Sequence, residues 1–147
     1  MLATFAMGCF WHSQDVYRDV KGVLKTTVGY MGGKLKNPTY DDVCTNKTGH
    51  IEVVQVEYNP KIVSYDKLLD LFFNNHDYTA INKQGPDEGI QYASVIFYHN
   101  PKQKTIALKH MKSLKNIATV IRKTETFYKA EEYHQDYNLK HGGSCRL

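Results

Sequence analysis

The sequence predicts an α+β fold, a two-layer sandwich of helices on a sheet, on three observations. Strand-like and helix-like segments alternate along the chain, several strands are placed for antiparallel returns, and 147 residues with 41% hydrophobic side chains are enough for one buried core. Leu2 to Met7 is an apolar run and reads as a buried strand; His12 to Val20 reads as a helix turning Val16, Tyr17 and Val20 inward. Val23 to Tyr30 is β-branched and strand-like, and Gly32-Gly33 ends it. Lys34 to Tyr40 is a loop, Tyr40 to Cys44 one helical turn, and Asn46 to Gly49 a further turn. Ile51 to Tyr58 alternates as a half-buried strand, with Val53, Gln55 and Glu57 on one face and Glu52, Val54, Val56 and Tyr58 on the other.

Ser64 caps a helix through Asn75 with Leu68, Leu69, Phe72 and Phe73 as its apolar face. A long loop, His76 to Gln91, carries Gly85-Pro86-Asp87-Glu88-Gly89. Tyr92 to Tyr98 is a strand, Pro101 opens a helix to about Asn116, Ala118 to Arg122 is a strand, and Glu131 to Leu139 a last helix. Gly142-Gly143-Ser144 has the composition of a flexible tail from about residue 141. With no repeat, linker or low-complexity tract, residues 1–147 are expected to form a single domain.

Several function classes fall away on composition. The net charge of +4 comes from lysines scattered among acids and aromatics rather than from the clustered cations of a nucleic-acid footprint. No stretch approaches the ~18 apolar residues of a membrane helix, and the N-terminus lacks a signal-peptide layout, so a cytoplasmic address is expected. Three cysteines at wide spacing fit neither a disulfide framework nor a CxxC zinc pair, and no metal or cofactor is expected.

The chemistry concentrates in Gly8-Cys9-Phe10-Trp11. Cys9 sits at the predicted strand-to-helix turn, where unpaired N–H groups and the helix dipole favour a thiolate and lower the ~8.5 pKa of a free cysteine. On these residues alone it stays open that Cys9 is a small buried hydrophobe and Phe10 and Trp11 are core. Glu52 shares a face with Val54 and Val56, so it is either an edge carboxylate or a buried one, neutral near pH 7 and a candidate proton donor. Tyr40, Asp87 and Tyr92 lie in or beside glycine- and proline-rich loops, where functional polar groups gather.

Gly8-Cys9-Phe10-Trp11, Gly29-Tyr30-Met31-Gly32-Gly33, Asn37-Pro38-Thr39-Tyr40, Val43-Cys44, Thr48-Gly49-His50-Ile51-Glu52, Asn75-His76-Asp77, Gln84-Gly85 with Asp87, Gln91-Tyr92 and Ala130 to Gln135 follow one another in the order seen in the peptide methionine sulfoxide reductase A family. The chain resembles that family over nearly its whole length. The resemblance implies a two-layer α/β sandwich with a mixed sheet and a ferredoxin-like core, and thiol-dependent reduction of methionine S-sulfoxide through a cysteine sulfenic acid and an intramolecular disulfide. It implies Cys9 as nucleophile, Glu52 as proton donor, Tyr40 and Tyr92 as hydrogen-bond donors to the sulfoxide oxygen, and Asp87 as holder of the polar network. Phe10 and Trp11 are then the methyl pocket, Cys145 the resolving thiol, and thioredoxin or another thiol the reductant. From the general burial of free cysteines, Cys44 is expected to be a buried structural thiol, and the protein is expected to be a monomer. The chain departs from the family pattern at His12, Ser13 and Gln14, where a glycine and then a glutamate are usual, and at Tyr78 in place of proline. Loss of that glutamate is expected to favour the Cys9 thiolate.

Two rival readings remain from the residues themselves. One is thiol hydrolysis with His12, His50 or His134 activating Cys9. The other is a methionine-binding module without turnover, in which Cys145 would have no purpose.

Overall fold

The apolar run at the N-terminus becomes the middle of a sheet. The computed structural model describes residues 1–141, so Cys145 and most of the expected tail lie outside the described residues. In chain order the elements are β1 (Leu2–Met7), α1 (Phe10–Arg18), β2 (Val23–Met31), α2 (Tyr40–Cys44), β3 (Ile51–Tyr58), α3 (Tyr65–Asn74), β4 (Lys83–Gln84), β5 (Asp87–Glu88), β6 (Ser94–Tyr98), α4 (Pro101–Lys112), β7 (Val120–Lys123), β8 (Tyr128–Lys129) and α5 (Tyr137–His141). Short 3-10 turns span Ile90–Tyr92 and Glu132–His134.

Strand β1 pairs antiparallel with β3 on one side and β6 on the other, and β2 pairs antiparallel with β3. The order β6-β1-β3-β2, threaded as β1-α1-β2-β3-α3-β6, is the ferredoxin-like arrangement. Helix α4 then returns the chain to place β7 parallel to β6, which makes the sheet mixed, while β8 extends the far edge beside β2.

Period-two alternation divides the strands between two apolar clusters. Phe5, Val28, Val54, Val56 and Ile96 face the helices and meet Leu68, Leu69 and Phe72 of α3, whereas Met31, Ile51, Val53, Val95 and Phe97 line the opposite face with Phe127. Phe5 is central: its ring lies 5.3 Å from Tyr17 of α1 and 5.4 Å from Phe72. Caps fix where the helices start, Ser64 accepting the Lys67 N–H and Asn100 the Gln103 N–H ahead of Pro101. Among the described residues no helix is long and apolar enough to cross a membrane.

The structure departs from the expected elements where side chains replace backbone partners. Helix α1 begins at Phe10, two residues early, because Gly8 takes φ +93° and turns the chain directly into it. The loop after α3 holds the β4-β5 hairpin, and Tyr92 belongs to a 3-10 turn rather than a strand. The last helix is divided: Asp136 adopts φ +54°, and the buried Gln135 side chain bonds the N–H and carbonyl of Val28 at 3.0 and 2.9 Å. Cys44 is exposed, not a buried structural thiol, since in the five-residue α2 it is Val43 that turns into the core.

Gly29 permits the close approach of β8. A Cβ there would run into the Tyr128 carbonyl and stand 2.6 Å from the Phe127 ring. Gly29→Ala is therefore expected to destabilise the fold by about 1–3 kcal/mol, read as a Tm lowered by several degrees. An unchanged Tm would show that β8 yields freely.

Candidate active site

Cys9 is the N-cap residue of α1, with its carbonyl accepting the N–H groups of His12 at 3.1 Å and Ser13 at 3.2 Å. Its side chain therefore stands at the positive end of the helix, 7% exposed. That field stabilises a thiolate. The next N–H, of Phe10, has no partner inside the helix and donates instead to Glu52 Oε1 at 3.1 Å. Glu52, 1% exposed, points to the helix side of β3 with Val54 and Val56, and its Oε2 accepts from Gln91 Nε2 at 3.0 Å. Burial favours the neutral acid, and the two N–H donors favour the anion.

Three tyrosine hydroxyls surround this carboxyl. Burial first, and then the charge of Glu52, push the hydroxyls of Tyr40 and Tyr92 far above the usual phenol range, so both remain O–H donors. Tyr30 is raised likewise, by burial and then by its bond to Glu131. Asp87, on β5 beside this group, has its carboxyl pushed up by burial, and its charge acts on Tyr92.

The tyrosines are anchored from behind by Glu131. Its Oε2 accepts the Tyr40 N–H at 2.9 Å and its Oε1 the Tyr30 hydroxyl at 2.8 Å. Burial alone would raise this carboxyl, but the bonds it accepts outweigh burial and hold it below its ordinary value. Tyr40 is also the first residue of α2, whose start is fixed by the reciprocal Thr39–Asp42 capping box.

Aromatic rings form the apolar side. Phe10 is buried against Tyr30, Tyr40 and His134, at centroid distances of 5.7, 6.5 and 5.1 Å. Half-buried Trp11 stacks on Tyr137 of α5 at 3.7 Å and 6°, and its Nε1–H donates to His134 Nδ1 at 2.9 Å.

The structure thus brings together Cys9, Phe10, Trp11, Tyr40, Glu52, Asp87 and Tyr92, while Cys145 is outside the described residues. Sequence reasoning missed Gln91, Glu131 and Tyr137 as site residues, and considered His134 only as a base for Cys9 rather than as a partner of Trp11. Glu131, His134 and Tyr137 fell in a segment read as one helix, and their inward placement depends on the break at Asp136. Exposed Cys44 sits beside the group, its Sγ accepting from Gln91 Nε2 at 3.5 Å. Gln14 stands away on the β2 side, donating to the Thr26 carbonyl at 3.2 Å and accepting the Asp136 N–H at 2.7 Å. The histidines of the hydrolase reading are engaged elsewhere: His12 with the Asn75 carbonyl, His50 with Gly33 and Leu35, and His134 with Trp11. Among the described residues no group of three or more His, Cys, Asp or Glu side chains is arranged to hold a metal ion.

The chain also matches known proteins in sequence and in fold. Residues 1–146 match the sequence model of the family described as peptide methionine sulfoxide reductase. The chain is 52% identical over 143 residues to peptide methionine sulfoxide reductase MsrA of Methanococcus maripaludis strain C6, covering 94% of this chain and 91% of that one. The fold is similar to Mxr1 of Saccharomyces cerevisiae in reduced form, with TM-score 0.89, 38% identity, and coverage of 98% of this chain and 87% of that one. A structure of Mxr1 in complex with Trx2 matches at TM-score 0.63 and 27% identity, over 100% of this chain and 86% of that one.

Glu131 ties the site to the stability of the fold. A carboxyl held below its unfolded value stabilises above that value, near 4.5, and loses the contribution as pH falls through its lowered folded value. Glu131→Gln, whose amide would set a donor against a donor, is expected to melt below wild type at pH 7, with the gap closing under acid. Parallel melting curves at every pH would contradict this.

Proposed function

The chain belongs to the peptide methionine sulfoxide reductase family, and from that premise we propose that it reduces methionine S-sulfoxide, peptide-bound or free, to methionine with Cys9 as nucleophile. The observation that carries this reading is the bond from the Phe10 N–H to Glu52, which places an acid one residue from a thiol at a helix N-terminus.

The residues divide the chemistry as follows. The Cys9 thiolate attacks the sulfoxide sulfur while the S-methyl group rests against Phe10 and Trp11. Charge builds on the oxygen, where Glu52 delivers a proton and the Tyr40 and Tyr92 hydroxyls donate hydrogen bonds. Such fixed donors in a largely dry pocket need no reorganisation as the charge develops. Asp87 holds the polar network around Tyr92. The attack joins Sγ to the substrate sulfur. As that bond and the substrate S–O bond break, the oxygen passes to Sγ, so the sulfoxide gains two electrons, Cys9 loses two, and methionine departs leaving a sulfenic acid.

A second thiol then displaces that oxygen as water and closes a disulfide. We assign this step to Cys145, four residues past the end of α5, whose Tyr137 lies against Trp11. A dithiol reductant of the thioredoxin class reopens the bond, a role supported by the likeness to Mxr1 in its complex with Trx2. We take the chain to act as a single domain, as a monomer and in the cytoplasm; the six-stranded sheet with its helices, the β4-β5 hairpin and the 3-10 turn after it carry the proposed residues among the described ones.

The direct test incubates the protein with dithiothreitol and peptides carrying each methionine sulfoxide epimer, and follows loss of one oxygen by mass spectrometry. The S epimer is expected to react; reduction of R alone would overturn the assignment. Cys9→Ser is expected to abolish turnover. Glu52→Gln, which keeps its shape but cannot transfer a proton, is expected to slow the first turnover roughly 10²–10⁴-fold.

The two remaining cysteines separate by stoichiometry. With thioredoxin as sole reductant, Cys145→Ser is expected to release about one methionine per enzyme and stall as a dimedone-reactive sulfenic acid, while Cys44→Ser keeps cycling. A Cys9–Cys44 disulfide with normal cycling in Cys145→Ser would exchange their roles.

A further inference from the structure

We propose that His134 is the positioning residue of the methyl pocket: its neutral imidazole accepts the indole N–H of Trp11 and so fixes the ring against which the substrate's S-methyl group packs. The pocket's occupant rests on the function proposed above, whereas the bond itself does not.

His134 is 1% exposed and wedged among Phe10, Tyr40 and Tyr133, at centroid distances of 5.1, 4.6 and 4.0 Å. An indole nitrogen only donates, so Nδ1 must be bare to accept the 2.9 Å bond and the ring proton must reside on Nε2. Nε2 is buried and has no hydrogen-bond partner among the described residues. Leaving a buried donor unmet is costly. The ring keeps this orientation nonetheless, which points to the indole bond as what sets it. An imidazolium would turn N–H against N–H and bury a charge, so the bond and protonation exclude each other.

The groups facing the ring agree with a neutral state. Burial lowers the affinity of His134 for a proton, the Glu131 carboxylate opposes that effect, and Lys140 of α5 adds to it. Helix α1 presents the uncharged Phe10 and Trp11, and α2 presents the hydroxyl of Tyr40, which stays protonated. Without the His134 bond, Trp11 would be restrained on this side chiefly by its stack on Tyr137. A sliding stack permits rotation in the ring plane; a stack joined to a hydrogen bond at Nε1 does not.

Trp11 is the sole tryptophan of the chain, so its fluorescence reports the bond directly, without substrate. In wild type the emission is expected to change in one step as pH falls below the ordinary histidine value near 6.5. His134→Gln, whose amide oxygen accepts the N–H at every pH, should lack the step. His141→Gln, which replaces the imidazole on the far side of Tyr137, should retain it. With a methionine S-sulfoxide peptide, His134→Leu should raise KM and lower kcat/KM roughly tenfold, and His134→Gln should recover most of that loss.

A step that persists in His134→Gln, or a wild-type kcat/KM in His134→Leu, would overturn the proposal. Should His134→Leu fail to fold, the step in wild type and in His134→Gln decides alone. If wild type reduced no sulfoxide at all, the functional reading would fall while the fluorescence still judged the bond.

Discussion

The hydrogen bond from the Phe10 N–H to Glu52 is the constraint from which the rest of the site is built. A helix starting inside a protein exposes N–H groups that its own turns cannot satisfy, and a carboxyl facing a core has lost its water. Either alone would be destabilising; together they satisfy one another. The junction requires Gly8 to turn the chain at φ +93° and requires Glu52 to fall on the helix side of β3, the side of Val54 and Val56. Cys9 is then left at the helix N-terminus with an acid beside it. The thiol and the carboxyl are thus positioned by the same bond that relieves two structural defects.

The hydroxyl donors reach this centre from loops, so they need independent anchoring. Tyr40 arrives on a five-residue helix that could not persist by itself, and the capping box with the Glu131 carboxylate on its first N–H supplies what length does not. Tyr92 arrives on a 3-10 turn whose Gln91 is bonded to Glu52. The same turn is held to the α2 loop by Asn46, whose Oδ1 accepts the Ile90 N–H at 3.1 Å. The loops are therefore fixed through one another as well as through the sheet.

How much of this was legible in the sequence depended on whether a residue's position follows from periodicity. The strand Ile51–Tyr58 alternates, so the inward placement of Glu52 could be read from its neighbours, and the apolar stripe of α3 is where the 3.6 period puts it. Cys9 was legible because a glycine and a strand end specify the turn. Glu131 was quoted in a motif but given no role, and His134 was considered only as a base for Cys9, since a continuous helix through Leu139 would have scattered them around its surface. What interrupts that helix is Gln135, whose side chain continues the hydrogen bonding of β2 past the end of β8. No periodicity encodes a side chain acting as a strand. The exposure of Cys44 was missed for a related reason, the general burial of free cysteines having been set against a helix too short to have an interior of its own.

That use of glutamine recurs through the fold and separates scaffold from site. Gln84 bonds both the N–H and the carbonyl of Asp77, Gln103 the His99 N–H and the Leu2 carbonyl, and Gln135 the N–H and carbonyl of Val28. Gln14 does the same between Asp136 and Thr26. Each of these places needs a donor and an acceptor at once, which a carboxylate cannot provide. Gln14 therefore occupies its position as a clamp between α1, β2 and the start of α5, where a glutamate would set oxygen against the Thr26 carbonyl unless it held a proton. Gln91 is the fifth buried glutamine among the described residues, and its N–H groups go to the Glu52 carboxyl and the Cys44 thiol instead of to backbone. The same residue type that fastens loops elsewhere here holds an ionisable group, and its amide sets where that acid points.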